Sequence, residues 1–324
     1  MKLGICAQNY SERPIEEIVK MAAAKGYEAI EIATYDGNGQ CDSGEMLRDG
    51  NGKKMRKMVE SHGMFISALS NHADSYLIMG PYGADTDTIY KGTKEEKIKF
   101  GTESLLNSAR LANELEVPVV IGFTGVENFG RFFPFPYAKG WEACENQFVE
   151  LFVPILDKFR EYGVKFAIEA HPNNFIYDIH TAKRALELTD NHPCLGYNLD
   201  PANLVYLGLM AENFIDQLAG RIFAVHAKDG EVVAHNVAVG GVLMQGAWQR
   251  LDRSFRFRIP GWGDVNWKHI ITELAMTGYD YVLSYEHEDV TMSRADGLDK
   301  VAAFLKPLLI QAPYEGRSDK LFTK

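Results

Sequence analysis

The chain is poor in what several protein classes need. It has 4 cysteines in 324 residues, at positions 6, 41, 144 and 194, with no CxxC pair. That spacing argues against a disulfide framework and against a thiolate zinc site, and reads as reduced thiols in a cytoplasmic protein. No apolar run comes near the roughly 18 residues of a membrane span, so no membrane contact is expected. Met1-Lys-Leu-Gly-Ile-Cys-Ala7 leads straight into a strand-like run, so no signal peptide is expected either. Positive charge is short: 34 Lys and Arg stand against 44 Asp and Glu, a formal net charge of −10. Phosphate-backbone binding rests on clustered Lys and Arg, so no nucleic-acid surface is expected. The turn after the first apolar run, Cys6-Ala-Gln-Asn-Tyr-Ser11, has no glycine, which removes the phosphate loop of a dinucleotide-binding sheet.

What is present is a regular alternation. Hydrophobic residues make up 46% of the chain, enough for a large core. Strand-like runs cover residues 3–7, 29–33, 64–70, 118–122, a stretch opening at 164, then 195–200, 221–226 and 281–286. They are continuous apolar runs, so each strand is buried on both faces of a parallel sheet. Helical periodicity fills 14–25, 52–61, 94–115, 142–162, 181–189, 210–219, 265–276 and 298–310. Eight of each predict a (β/α)8 TIM barrel, one domain over 1–312, with 313–324 as a peripheral tail. Residues 36–52, 75–92 and 230–262 read as loops, the last being the longest insertion.

Four successive strand-like runs deliver polar residues at their C-terminal ends: Glu169, Asp200, His226 and Glu286, at spacings of 31, 26 and 60 residues. In a closed barrel these ends converge on one axial site. Any one alone is an ordinary rim ion pair or helix cap. Together, three carboxylates and an imidazole in a low dielectric repel one another unless a cation joins them. Three oxygen donors and one nitrogen suit Mn²⁺ first, with Co²⁺, Fe²⁺, Mg²⁺ and Zn²⁺ as alternatives.

Further groups gather at the same face. His171 lies two residues past Glu169, so on an extended strand it points to the same side. It is either a proton carrier or a donor that orients a carboxylate. Asn71 and His72 follow the third strand and are read as hydroxyl-binding groups, with an ordinary loop histidine as the plain alternative. Lys228 is a candidate for an anionic enediolate or phosphate, or else a rim ion pair. Arg256 and Arg258 alternate in the insertion, within reach of substrate oxygens or simply solvated. Phe129, Phe132, Phe133, Phe135, Tyr137, Trp141 and Trp262 lie in loops after strands, where they stack on a sugar or aglycone, or pack against one another or a second subunit.

The strings His226-Ala-Lys-Asp229, Arg256-Phe-Arg-Ile-Pro-Gly-Trp-Gly-Asp-Val-Asn-Trp267 and Glu286-His-Glu-Asp289 resemble the sugar phosphate isomerase/epimerase group of xylose-isomerase-like TIM barrels. The resemblance covers nearly the whole chain and is strongest over 164–310. It implies a catalytic divalent metal, often manganese, held by Glu169, Asp200, His226 and Glu286. It also implies acid/base work by Glu169 and Glu286. Many members carry His three residues after the strand-6 Asp; here Asn203 stands there, able to hydrogen-bond a hydroxyl or a ligand but not to act as a base.

The expected activity is enolisation of a ketose or keto-glycoside, followed by reprotonation as an epimer or isomer. A second expectation shares the first step. The aromatic loops, His171 and the insertion resemble the large subunit of bacterial C-glycoside deglycosidases, which cleave 3-oxo-glucosides by elimination and need a small β-rich partner. Homo-oligomers are common among such barrels. A zinc phosphodiesterase of the endonuclease IV branch would need more histidine ligands and a basic groove, which 9 scattered histidines and the acidic balance do not supply. A non-catalytic sugar-binding barrel would not need the intact ligand set.

Overall fold

Each continuous apolar run becomes a short buried strand: β1 (Lys2–Cys6), β2 (Ala29–Ala33), β3 (Phe65–Asn71), β4 (Val119–Gly122), β5 (Lys165–Glu169), β6 (Leu195–Leu199) and β7 (Ile222–Ala227). β8 (Asp229–Val232) and β9 (Phe255–Arg258) lie in the insertion, and β10 (Val282–Tyr285) follows it. The computed structural model describes residues 1–129 and 139–312. Phe132, Phe133, Phe135, Tyr137 and the 313–324 tail fall outside the described residues. The barrel closes in the order β1-β10-β7-β6-β5-β4-β3-β2. Its pairs are parallel, and the last join sets Ile5 opposite Tyr285. This is the expected (β/α)8 TIM barrel.

The helices are α1 (Ile15–Ala24), α2 (Ser43–Asp49), α3 (Gly52–Ser61), α4 (His72–Tyr76), α5 (Lys94–Glu114) and α6 (Gly140–Tyr162). After them come α7 (Ile179–Leu188), α8 (Pro201–Val205), α9 (Ala211–Gln217), α10 (Ala234–Gly240), α11 (Trp267–Met276) and α12 (Arg294–Leu305). α5 opens on a capping box, Thr93 with Glu96. α6 packs on β5 through a row of rings, with Phe152 5.1 Å from Phe148 and 6.1 Å from Phe166. The expected loops differ in part. The 36–52 stretch contains α2, capped by Asp42, and the insertion contains α10 and the β8–β9 hairpin. α12 starts at Arg294 rather than 298, because Ser293 caps it through the Asp296 N–H.

Two features of this frame position the site. Inside the barrel, Ala68, Val119, Ile121, Ala167 and Ala224 form a small cluster of their own. Side chains alternate along a strand, so Glu169 and His226, two residues on from Ala167 and Ala224, stand in the next layer up. The insertion, in turn, is pinned by Asp229, which is fully buried. Its carboxylate accepts from the N–H groups of Gly230, Gly261 and Val265, at 2.8, 2.9 and 3.0 Å, and from Trp267 Nε1 at 2.9 Å. Gly263 lies so close that a Cβ there would collide with the Asp229 carboxylate and the Gly230 carbonyl.

Candidate metal centre

Glu169 ends β5, Asp200 follows β6, His226 lies in β7 and Glu286 follows β10. The barrel brings them together. His226 Nδ1 is 3.2 Å from Glu169 Oε2 and 3.2 Å from Glu286 Oε2. Among the described residues this buried nitrogen has no hydrogen-bond partner. Donor atoms of Glu169, Asp200 and His226 lie within 4.8 Å of one another. Glu286 is the most open of the four, its side chain 23% exposed toward the cavity.

A fourth acidic residue, Glu31, joins them. Its Oε2 is 3.1 Å from His226 Nε2. The β2–β3 register slips between Ile30 and Glu31, leaving Ser67 unpaired opposite. Such irregularities re-aim side chains near active sites. Nε2–H donates to Glu31, so Nδ1 is the nitrogen turned to the cluster, as in carboxylate–histidine–metal arrangements. The sequence signal for Glu31 was a lone charge inside the apolar run Ala29-Ile-Glu-Ile-Ala33. Burial disfavours a charged His226, but Glu31 and then Glu286 and Glu169 hold its pKa well above the usual value. A bound cation would release that proton.

Each carboxylate is held differently. Glu169 Oε1 accepts from Asn203 Nδ2 at 2.7 Å, and Oε2 accepts from Asn198 Nδ2 at 2.9 Å and meets His72 Nε2 at 3.0 Å. Burial pushes its pKa up, but His226 and His72 more than offset this and hold it well below the carboxylate range. Asp200 caps α8 through the Ala202 N–H at 2.9 Å, and its Oδ2 meets Asn203 Nδ2 at 3.1 Å and Lys228 Nζ at 2.7 Å. Burial, reinforced by the charges of Glu169 and Glu286 against Lys228, pushes Asp200 up to about 7. For Glu286, burial is outweighed by Lys228 and His226, and its pKa falls below the usual range. Lys228 also reaches Glu286 at 2.9 Å and Glu288 at 3.0 Å.

Four carboxylates thus face one imidazole and one ammonium. An unpartnered Nδ1 and a carboxylate pushed toward neutrality mark a cluster short of positive charge. Glu169, Asp200, His226 and Glu286 fit a divalent cation of intermediate hardness.

The remaining groups divide. His72, His171 and Lys228 line a cavity of about 280 Å³ with Glu31, Phe123 and Glu286. His171 Nδ1 donates to the Pro172 carbonyl at 2.7 Å. Burial, more than the nearby Glu169 charge can oppose, lowers its pKa, so the ring is neutral with a bare Nε2. Asn203 is buried and serves the carboxylates rather than lining the cavity. Asn71, expected at the substrate, is instead structural: Nδ2 donates to Ser104 and Ser108, and Oδ1 caps α4. Arg256 and Arg258 are also engaged away from the cavity. Arg256 donates to the Leu251 carbonyl at 2.8 Å, and Arg258 pairs with Asp289 at 2.9 Å and Glu231 at 2.8 Å. Trp262 lies outside the cavity lining, half exposed between Arg258 and Lys300. Trp141 stacks on Phe175 and Phe129 packs on Tyr177, so both pack against other loop rings.

Comparison with known proteins bears on the fold. The xylose isomerase-like TIM barrel family matches residues 19–308. The uncharacterized protein YfiH of Bacillus subtilis (strain 168) is 25% identical, over 96% of this chain and all of that one. Three solved structures share the fold. The probable 3-DHS dehydratase AsbF, involved in petrobactin synthesis in Bacillus anthracis, superposes with TM-score 0.66 and 19% identity, covering 94% of this chain and 98% of that one. An L-ribulose 3-epimerase gives 0.65 and 18%, covering 95% and 94%. The IOLI protein, solved with a zinc atom bound, gives 0.64 and 17%, covering 95% and 98%. With a family match spanning most of its length and a closed eight-stranded barrel, the chain belongs to the xylose isomerase-like TIM barrel family.

Proposed function

We propose that the protein is a divalent-metal-dependent isomerase or epimerase acting on a ketose or keto-glycoside through an enediolate. The observation that carries this is the convergence of Glu169, Asp200 and Glu286 on the unpartnered Nδ1 of His226. The mixed oxygen and nitrogen donors favour Mn²⁺, with Co²⁺, Fe²⁺, Mg²⁺ and Zn²⁺ as the ions to compare. The bound cation supplies a Lewis acid that polarises a substrate carbonyl and its neighbouring hydroxyl.

The chain's own groups then divide the proton work. Glu169 meets three nitrogen groups, those of Asn203, Asn198 and His72, which stabilise its charged form and make it a weak base. It holds the cation. Glu286 meets Lys228 and His226 Nδ1, but it is the most open of these carboxylates toward the cavity, so it is the better placed to take the α-proton. His171, neutral with Nε2 bare, is a second proton acceptor at the cavity wall, able to take a substrate hydroxyl proton and hand that same proton back later in the turnover. Lys228 Nζ, among Asp200, Glu286 and Glu288, lies close enough to the cavity to steady a developing oxyanion.

Elimination from the same enediolate, breaking a sugar–aglycone bond, is the second reading. It is favoured by the aromatic wall that Phe123 and Tyr76 form beside the metal chamber. Proton NMR in D₂O with Mn²⁺ tests both against a set of free ketoses and 3-keto-glycosides. Exchange at the carbon next to the carbonyl, with epimer or isomer appearing, supports the first reading. Release of aglycone supports the second. No exchange on any ketose with any of the five ions defeats both.

A further inference from the structure

The His226 ring meets a second set of donors on its other side. Cys6 ends β1 and stands level with Glu31 on β2, so both side chains enter the lumen side by side. Cys6 Sγ, a Glu31 oxygen and a His226 ring nitrogen lie within 4.8 Å of one another, and all three residues are buried. The nitrogen turned to Glu31 is Nε2, 3.1 and 3.3 Å from its two oxygens. Cys6 and Glu31 also line the cavity of about 280 Å³, so an ion entering it meets both. Only His226 is common to this set and the axial one.

The two sets differ in kind. The axial donors are three carboxylates and an imidazole. Here a thiol joins one imidazole and one carboxylate. A thiolate selects Zn²⁺ or Cd²⁺ over Mn²⁺, and one sulfur suffices when nitrogen and oxygen complete the set. Bonds of about 2.0 Å to nitrogen and oxygen at a tetrahedral angle set those atoms about 3.3 Å apart. Nε2 and the Glu31 carboxylate already stand at that separation. Binding releases the Cys6 proton and the proton on Nε2, and the open side of the site takes water from the cavity.

The shared ring couples the two positions. A cation on Nδ1 leaves the ring proton on Nε2, donated to Glu31. A cation on Nε2 leaves it on Nδ1, which is 3.2 Å from Glu169 and 3.2 Å from Glu286. That proton then occupies two of the axial donors.

We propose that Cys6, Glu31 and His226 Nε2 form a site for a thiophilic divalent cation, Zn²⁺ or Cd²⁺, whose occupation excludes the axial cation. The exclusion rests on the metal-dependent reading above, and the site itself does not.

Cd²⁺ is the probe, titrated into the metal-free protein. The parent develops thiolate-to-cadmium charge-transfer absorption in the ultraviolet, complete at one equivalent, and its cadmium NMR resonance falls among sites with one sulfur ligand. With Mn²⁺ bound first, the electron paramagnetic resonance signal of free Mn²⁺ rises in step with that band. Cys6→Ala abolishes the band, and Cys194→Ala keeps it. Glu31→Gln weakens Cd²⁺ binding, followed at the band, by at least the roughly 10–100-fold that loss of an outer partner costs. It decides the matter if Cys6→Ala is unfolded by circular dichroism. No sulfur signature in the parent overturns the proposal. So does a band that survives in folded Cys6→Ala, or a Cd²⁺ affinity unchanged in Glu31→Gln. A complete band with Mn²⁺ still bound overturns the exclusion. A parent that shows the band but never binds Mn²⁺ defeats the reading above and leaves this site.

Discussion

Glu31 and His226 face each other across the barrel lumen rather than along the sheet, Oε2 to Nε2, at 3.1 Å. β2 and β7 are not neighbours, since β1 and β10 stand between them. The contact therefore fixes the ring from the side opposite the cluster. Glu31→Ala lowers Mn²⁺ affinity about 10–100-fold by calorimetry, the range for losing such an outer partner of a ligand histidine. An affinity equal to the parent's would show that Nδ1 is oriented without it.

Asp200 and His226 each offer one donor atom to the proposed cation. Asp200→Asn and His226→Ala, dialysed against metal-free buffer, retain much less Mn²⁺ than the parent by plasma mass spectrometry, while keeping the barrel's circular dichroism. Full metal content and exchange activity in both would place the site elsewhere.

His171 is proposed to move a proton and not to hold the cation. His171→Gln slows solvent exchange on a responsive ketose by about 10²–10⁴-fold, the usual worth of one acid–base group. Mn²⁺ affinity stays close to the parent value. A parallel loss of metal would make His171 a donor to Glu169's surroundings instead.

Asp289 carries the pH dependence of the rim. Burial pushes its carboxyl up, but hydrogen bonds from Thr291 and Arg258 more than offset this and lower its pKa. A lowered folded value means the stabilisation is present above the unfolded pKa of about 3.9 and is lost as pH falls through the folded one. Asp289→Asn therefore lowers the urea midpoint at pH 7, and the gap to the parent narrows below about pH 4. Removing Asp289 altogether, as Asp289→Ala, leaves Arg258 with Glu231 as its remaining carboxylate and costs about 1–3 kcal/mol through the hydrogen bonds lost. A gap independent of pH would mean that Asp289 acts through its shape and not its charge.

Gly263 tests the pin under the insertion. Gly263→Ala puts a methyl against the Asp229 carboxylate, and such overpacking costs about 1–3 kcal/mol. The melting temperature falls accordingly. An unchanged melting temperature would mean the loop moves aside freely.

The barrel was legible in the sequence because its signal is local and repeated. Apolar runs such as 166–168 and 222–225 have few alternatives once eight of them alternate with helices. The four strand-end ligand candidates were legible for the same reason, being fixed by strand periodicity and topology. Glu31 was not, because its role depends on a register slip against β3 that no local pattern announces. Asn71 was placed at the substrate because it adjoins His72, but one residue changes the face, and its amide turns to Ser104 and Ser108. Arg256 and Arg258 alternate along an antiparallel hairpin whose partner strand, with Glu231 opposite Arg256 and Asp229 opposite Arg258, could not be paired from sequence. The short α8 was also hidden. Its start is Asp200 itself, so one carboxylate serves as helix cap and as candidate ligand at once.

Asp229 gathers both ends of the insertion at one carboxylate, and Val233 N–H to the Ser254 carbonyl at 2.8 Å closes the stem just beyond. Everything between is a cassette. α10 buries none of its residues, so the barrel takes little support from it. Doubling such a loop adds only about 0.6 kcal/mol of closure entropy. The excursion can be lengthened, shortened or exchanged while His226, three residues upstream of the clasp, keeps its place.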